Sequence, residues 1–223
     1  MKLDYVIVRS ERKTIRITVE RDRRVIVRAP KQASETAVTA AVESKRFWIW
    51  QKVRDPHKYP DPAPRKEYVT GETFLYLGQQ YGLSLTRKEK GEVRLVGREF
   101  EIAAADRRNG DAVFRSWYLT QAKEKMRPRI ATLAAEMGLT YSRIWVRDLK
   151  YCWGSCTPGG TLTFNWRIIQ APMIVVDYLI AHELAHVLEP NHSEDFWNIV
   201  AVHVPSWQRA RTWLKQHGGQ LEW

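Results

Sequence analysis

The chain has 223 residues, 44% of them apolar, with ten tryptophans and a formal charge of +11. That composition supports a packed core, as one large domain or as a catalytic domain with a smaller module, and excludes a disordered chain. Charges recur too often in MKLDYVIVRSERKTIRITVE for a signal peptide, and no apolar run is long enough to span a bilayer, so a cytoplasmic protein with no membrane role is expected.

Residues 3–8, 13–19 and 24–28 read as strands. Ile15, Ile17 and Val19 alternate with Arg16 and Thr18, the period of a half-buried sheet. Arg21-Asp22-Arg23 suits a hairpin tip. Ser34 predicts the cap of a helix over 35–54. Val38, Val42 and Ile49 give it an apolar stripe, which Phe47-Trp48-Ile49-Trp50 widens for packing on the sheet. DPHKYPDPAP, residues 55–64, holds four prolines and reads as a linker.

Short strands follow over 67–103, with glycines at Gly71, Gly78, Gly82, Gly91 and Gly97. A second helix is expected from near Asp111 to Met137, kinked or restarted at Pro128 and ended by Gly138. Residues 142–149 and 161–165 read as strands, the second after a Pro158-Gly159-Gly160 turn. The basic excess lies in this part of the chain. Residues 1–150 hold 32 Lys+Arg against 19 Asp+Glu, and residues 151–223 hold 4 against 6. A basic face can attract nucleic acid, anionic membrane or acidic proteins, although a solvated surface is the preferred reading.

The stretch DYLIAHELAHVLEPNHSEDFW, residues 177–197, holds three of the six histidines. Pro172 suits the first turn of a helix running to about Leu188. Val175, Val176, Leu179 and Ile180 give that helix a buried face. His182 and His186 are four residues apart, so they stack on one side and can point at a single ion. Glu183 is about a third of a turn away from His182, within reach of a water on the metal without being a ligand. Pro190 stops the helix, and the turn at Glu189-Pro190-Asn191 can return His192 to the same point. Ser193 then caps the next helix. Three histidines with one open position suit a catalytic zinc, one ion per chain; a structural site would be closed by four protein ligands. Glu183 is the expected general base, taking a proton from water and passing it to the leaving amine.

Other candidates carry less. His57, His203 and His217 read as a linker residue, a packed or surface residue on the following helix, and a surface residue. Cys152 and Cys156 are too few for a structural zinc and wrongly spaced for a common redox pair; buried thiols near the catalytic sheet are expected. Glu194 and Asp195 suit a helix N-terminus. Asp177 is about half a turn off the His182 face.

His-Glu-Leu-Ala-His, then Asn-His-Ser-Glu-Asp-Phe-Trp, preceded by Cys-Trp-Gly-Ser-Cys and Leu-Thr-Phe-Asn-Trp-Arg, resembles the YgjP-like metallopeptidase family. These are minimal zinc peptidases of zincin type, related to the SprT-like proteases. The likeness is strongest over 150–215 and weaker upstream, around VTGETFLYLGQQY. It implies His182, His186 and His192 as zinc ligands and Glu183 as acid/base. It also implies that Trp153-Gly154-Ser155-Cys156 and Asn165-Trp166-Arg167 form the sheet segment flanking the site. Arginine usually precedes Trp-Gly-Ser-Cys in that family; here Cys152 stands there, which puts that arginine's role in doubt. Metzincins share the histidine spacing but need glycine where Glu189 sits and a methionine turn later, and no methionine follows Met173.

The expected fold class is α+β. A zincin-like catalytic domain over 106–223 packs its histidine helix on a small, largely antiparallel sheet. A basic, β-rich N-terminal module precedes it over 1–105. The expected activity is zinc-dependent hydrolysis of peptide bonds in a protein or peptide substrate. The alternative is a nucleic-acid-associated protein, or a protease acting on DNA-bound proteins, using the basic N-terminal half. That alternative requires Arg9, Arg12, Lys13, Arg16, Arg21, Arg23, Arg24 and Arg28 to share one face. A small-molecule amidase is a third reading.

Overall fold

The computed structural model describes residues 3–19, 23–54, 65–87, 92–149 and 152–221. Contacts group the chain into two units, Met1–Ala63 and Pro64–Trp223.

In the first unit, β-branched runs form β1 (Tyr5–Ser10), β2 (Arg16–Val19) and β3 (Val25–Pro30), in the order β1-β3-β2. β1 lies parallel to β3, and β2 lies antiparallel to it. Ser34 accepts a hydrogen bond from the Ala37 amide at 3.2 Å and starts α1 (Glu35–Ser44). α1 is followed by α2 (Arg46–Arg54) after a break at Lys45, where a single helix over 35–54 was expected. At the break, the Ser44 hydroxyl donates to the Ala41 carbonyl at 2.9 Å, the local side-chain bond that competes with helix continuation. Val19, Val25, Val27, Ala29, Val38, Val42 and Ile49 form the core. Phe47, Trp48 and Trp50 do not widen the packed stripe; they are 69%, 39% and 43% exposed. Of the hairpin tip expected at 21–23 only Arg23, at φ +65°, is described, and the proline-rich linker expected at 55–64 lies outside the described residues.

The second unit begins with a four-stranded sheet. β4 (Thr73–Tyr76), β5 (Gln79–Thr86), β6 (Arg94–Val96) and β7 (Glu99–Ala103) run in the order β4-β5-β7-β6. These strands, grouped on sequence grounds with the N-terminal module, share their core with the histidine helix. Phe74 stacks on Phe114 at 4.2 Å, and Tyr118 stacks on Trp166 at 5.8 Å. Phe114 and Tyr118 belong to α3 (Gly110–Glu136), whose buried residues Phe114, Tyr118, Ala122, Met126, Ile130 and Ala134 recur every four positions. α3 continues through Pro128 with no restart. Gly138, at φ +65°, follows it in the left-handed region.

β8 (Arg143–Arg147), β9 (Gly154–Cys156) and β10 (Thr161–Asn165) form a third sheet in the order β8-β10-β9. This sheet is mixed: β10 runs parallel to β8 and antiparallel to β9. The expectation of a largely antiparallel sheet fails because β9 lies on the far side of β10 and carries the chain back, so β10 enters in the direction of β8. α4 (Met173–Leu188), α5 (Glu194–His203) and α6 (Trp207–His217) complete the unit.

The β4–β5 hairpin positions α4. Leu77 and Gly78 at its tip both have positive φ, +50° and +79°, as a two-residue hairpin turn demands. Their amides donate to the carbonyls of Ile169 and Gln170 at 3.0 and 2.9 Å. A Cβ at Gly78 would fall 2.7 Å from Pro172 Cγ, so only glycine lets the tip reach the residue that caps α4. Arg129 on α3 holds Asp177 through two hydrogen bonds of 2.5 and 2.6 Å, fixing α4 from another side.

Candidate metal centre

α4 is buried along most of its length, through Val175, Val176, Tyr178, Leu179, Ile180, Ala181, Leu184 and Ala185. His182 and His186 leave it one turn apart, their ring centroids 5.0 Å from each other. The helix ends at Leu188, and Glu189 is extended, ahead of Pro190. The Asn191 amide donates to Glu189 Oε1 at 3.0 Å and tightens the turn. That turn returns His192, whose Nε2 lies 3.1 Å from Nε2 of His182. One nitrogen from each of His182, His186 and His192 lies within 4.8 Å of the others.

The donor set fits a zinc ion. Two nitrogens about 2.0–2.1 Å from one tetrahedral ion lie roughly 3.3 Å apart, close to the His182–His192 separation. Nδ1 of His186 lies 3.1 Å from the Glu189 carbonyl oxygen, so it carries the proton and leaves Nε2 for a metal. Nδ1 of His182 is buried without a hydrogen-bond partner among the described residues, so no hydrogen bond at that nitrogen orients the ring. Its proton affinity is lowered from 6.5 to about 3, first by burial and then by His186, His192 and Arg211. His192 is lowered too, by burial and then by His186 and Arg211. Neutral rings have the lone pairs that a metal needs.

Glu183 is 4% exposed, and burial raises its carboxyl from 4.5 to about 8. It lies against β9: a Cβ at Gly154 would fall 2.5 Å from Glu183 Oε1 and 2.7 Å from its Cγ. A carboxyl held near neutrality can both accept and return a proton at neutral pH.

The parts that two residues play in this site were not read from the sequence. Phe196, fully buried on α5, is its floor: the rings of His182, His186 and His192 lie 4.9, 4.6 and 4.7 Å from it. Ser193 caps α5 by accepting from the Phe196 amide at 3.3 Å, which places Phe196 in the first turn after the returning histidine. Gly154, expected in the strand flanking the site but not against Glu183, is the second. A hydrophobic residue at the third helical position after the Ser193 cap could have signalled the first; the second depends on a tertiary approach.

The remaining candidates are not part of the three-histidine group. His203 is half-buried on α5, and His217 stacks on Trp213 at 4.8 Å. His57 is outside the described residues. The cysteines are not both buried as expected: Cys152, ahead of β9, is exposed, and Cys156, on that edge strand, is half-buried. Asp177 is held by Arg129. Glu194 and Asp195 sit in the first turn of α5. In the first unit, Arg16 pairs with Arg28, which pairs with Val8. Arg9 pairs with Ala29 on the opposite face, and its Nη1 donates to the Ala33 carbonyl at 2.6 Å. The basic residues therefore do not all share one face.

A family model described as YgjP-like, metallopeptidase domain, matches residues 13–217. No curated protein matches the chain. The crystal structure of the metallopeptidase zymogen of Pyrococcus abyssi abylysin is similar at 21% identity, covering 41% of this chain and 96% of that one. Its TM-score of 0.35 is too slight a likeness to assign a fold.

Proposed function

The chain belongs to the YgjP-like metallopeptidase family, and from that premise we propose that it is a zinc-dependent peptidase. His182, His186 and His192 hold the metal, and Glu183 is the general base and then the general acid. The observation that supports this most is the meeting of three imidazole nitrogens within 4.8 Å of one another.

Zinc in such a site supplies a Lewis acid and acidifies water to a pKa of about 7. Glu183 takes a proton from the attacking water at a carboxylate oxygen. The same oxygen then delivers that proton to the departing amine nitrogen, so the carboxylate is regenerated. Burial against Gly154 limits the positions open to Glu183, which favours transfer along one line. Phe196 excludes water beneath the imidazoles and keeps their rings from turning. A protein or peptide is the substrate class that the family implies.

The test is digestion of a mixed peptide library by the zinc-loaded protein and by Glu183→Gln. Cleavage by the first and loss of about 100-fold or more in the second supports the reading. No cleavage by the zinc-loaded protein, or full cleavage by the variant, contradicts it.

A further inference from the structure

Residues 151–223 hold only four basic side chains, Arg167, Arg209, Arg211 and Lys215. Arg167 donates to Asp148 at 2.5 Å. Arg211, on α6, is exposed, and its guanidinium carbon lies 4.8 Å from the centroid of the Trp197 ring. Among the described residues it makes no ion pair and no hydrogen bond, so its N–H fork is unspent.

Trp197 is surrounded by other rings. Trp207 stacks on it at 4.4 Å and 16°. The rings of His192 and His182 lie 5.7 and 5.9 Å from it. One indole thus joins the guanidinium to two of the three imidazoles.

A planar guanidinium stacked on an aromatic face is pre-oriented, and its paired N–H groups match the two oxygens of a carboxylate. We infer that Arg211 is a substrate-binding residue, seated on the Trp197–Trp207 stack, that grips a carboxylate of the peptide close to the scissile bond. The inference rests on the peptidase reading, which lays a peptide across the histidine cluster. The carboxylate can be the peptide's C-terminus or an aspartate or glutamate side chain; the chemistry of the grip is the same.

Binding tests this without requiring turnover. The full chain with Glu183→Gln, loaded with zinc, is titrated with three peptides of equal length, followed by tryptophan fluorescence. One has a C-terminal carboxylate, one is amidated, and one is amidated with a single internal glutamate. At least one carboxylate peptide should bind about tenfold tighter than the neutral one, and which one identifies the source. Adding Arg211→Gln should erase the difference, and Arg211→Lys should restore part of it. Equal binding of all three peptides, or binding of none, overturns the inference. So does an equal loss for all three in Arg211→Gln, since an arginine that merely braced Trp197 would act that way. Hydrolysis by the wild-type protein separates the two levels. Carboxylate-selective binding without cleavage of any peptide counts against the peptidase reading alone. Cleavage without selectivity counts against Arg211 alone.

Discussion

Gly154 and Glu183 approach so closely that a Cβ on the glycine would fall 2.5 Å from the carboxylate oxygen. The edge strand therefore fixes where the proposed base can lie. Gly154→Ala should displace the Glu183 carboxylate and leave the three imidazoles in place. A displacement of about 1 Å costs about 100-fold in turnover. The expected outcome is that loss in kcat with bound zinc unchanged, read by peptide hydrolysis beside metal analysis. Full activity in the variant would show that Glu183 has slack at this contact.

Phe196 supports all three imidazoles at once. Phe196→Ala should open a cavity beneath them and destabilise the protein by about 3–5 kcal/mol. Phe196→Leu should fold with a smaller loss and still weaken zinc binding, because the rings lose a common floor. Denaturation midpoints and zinc competition measure the two effects. Unchanged zinc affinity in the leucine variant would mean that the rings are held without Phe196.

Pro190 follows directly on the extended residue that ends the histidine helix. Pro190→Ala removes the block to helix continuation, while the Asn191–Glu189 hydrogen bond remains to hold the turn. We expect zinc affinity to fall about tenfold through looser return of His192, with little change in the unfolding midpoint of the metal-free protein. Equal zinc affinity would show that the hydrogen bond alone suffices.

Tyr68 and Tyr118 link stability to alkaline pH. Burial raises both phenols above their usual value of 10, and the hydrogen bond from Tyr68 to Asp111, 2.5 Å long, raises Tyr68 further. The unfolded chain releases these protons as pH passes 10, and the folded chain keeps them. Their contribution is therefore complete below pH 10 and declines above it, by about 1.4 kcal/mol per pH unit for each group. Tyr68→Phe should reduce the slope of the urea midpoint between pH 10 and 11. It should also lower stability at pH 8 by about 1 kcal/mol, through the lost hydrogen bond. An unchanged alkaline slope would mean that Tyr68 ionises freely in the folded chain.

The histidine cluster was legible because its parts are local. Spacing of four on a helix, a proline stop and a serine cap bring His182, His186 and His192 together with little help from the rest of the fold. The ends of α4 and α5 were legible for the same reason. Contacts distant in sequence were not. Gly154 meets Glu183 across 29 residues, and nothing in Trp-Gly-Ser-Cys states which side chain its glycine must admit. The parallel pairing of β8 with β10 depends on where β9 is placed, which strand periodicity leaves open. Phe47-Trp48-Ile49-Trp50 read as a buried run because aromatic composition suggests burial, but a helix can turn only part of such a run inward, and Ile49 took that place.

Metal content is the most direct test of the central claim, that three histidines hold a zinc ion. Mass spectrometry of the purified wild-type protein should find about one zinc per chain. His192→Ala should lose it, or hold it at least tenfold more weakly, while remaining folded. A wild-type protein that contains no metal, and takes up none after chelation and addition of zinc, would contradict the claim.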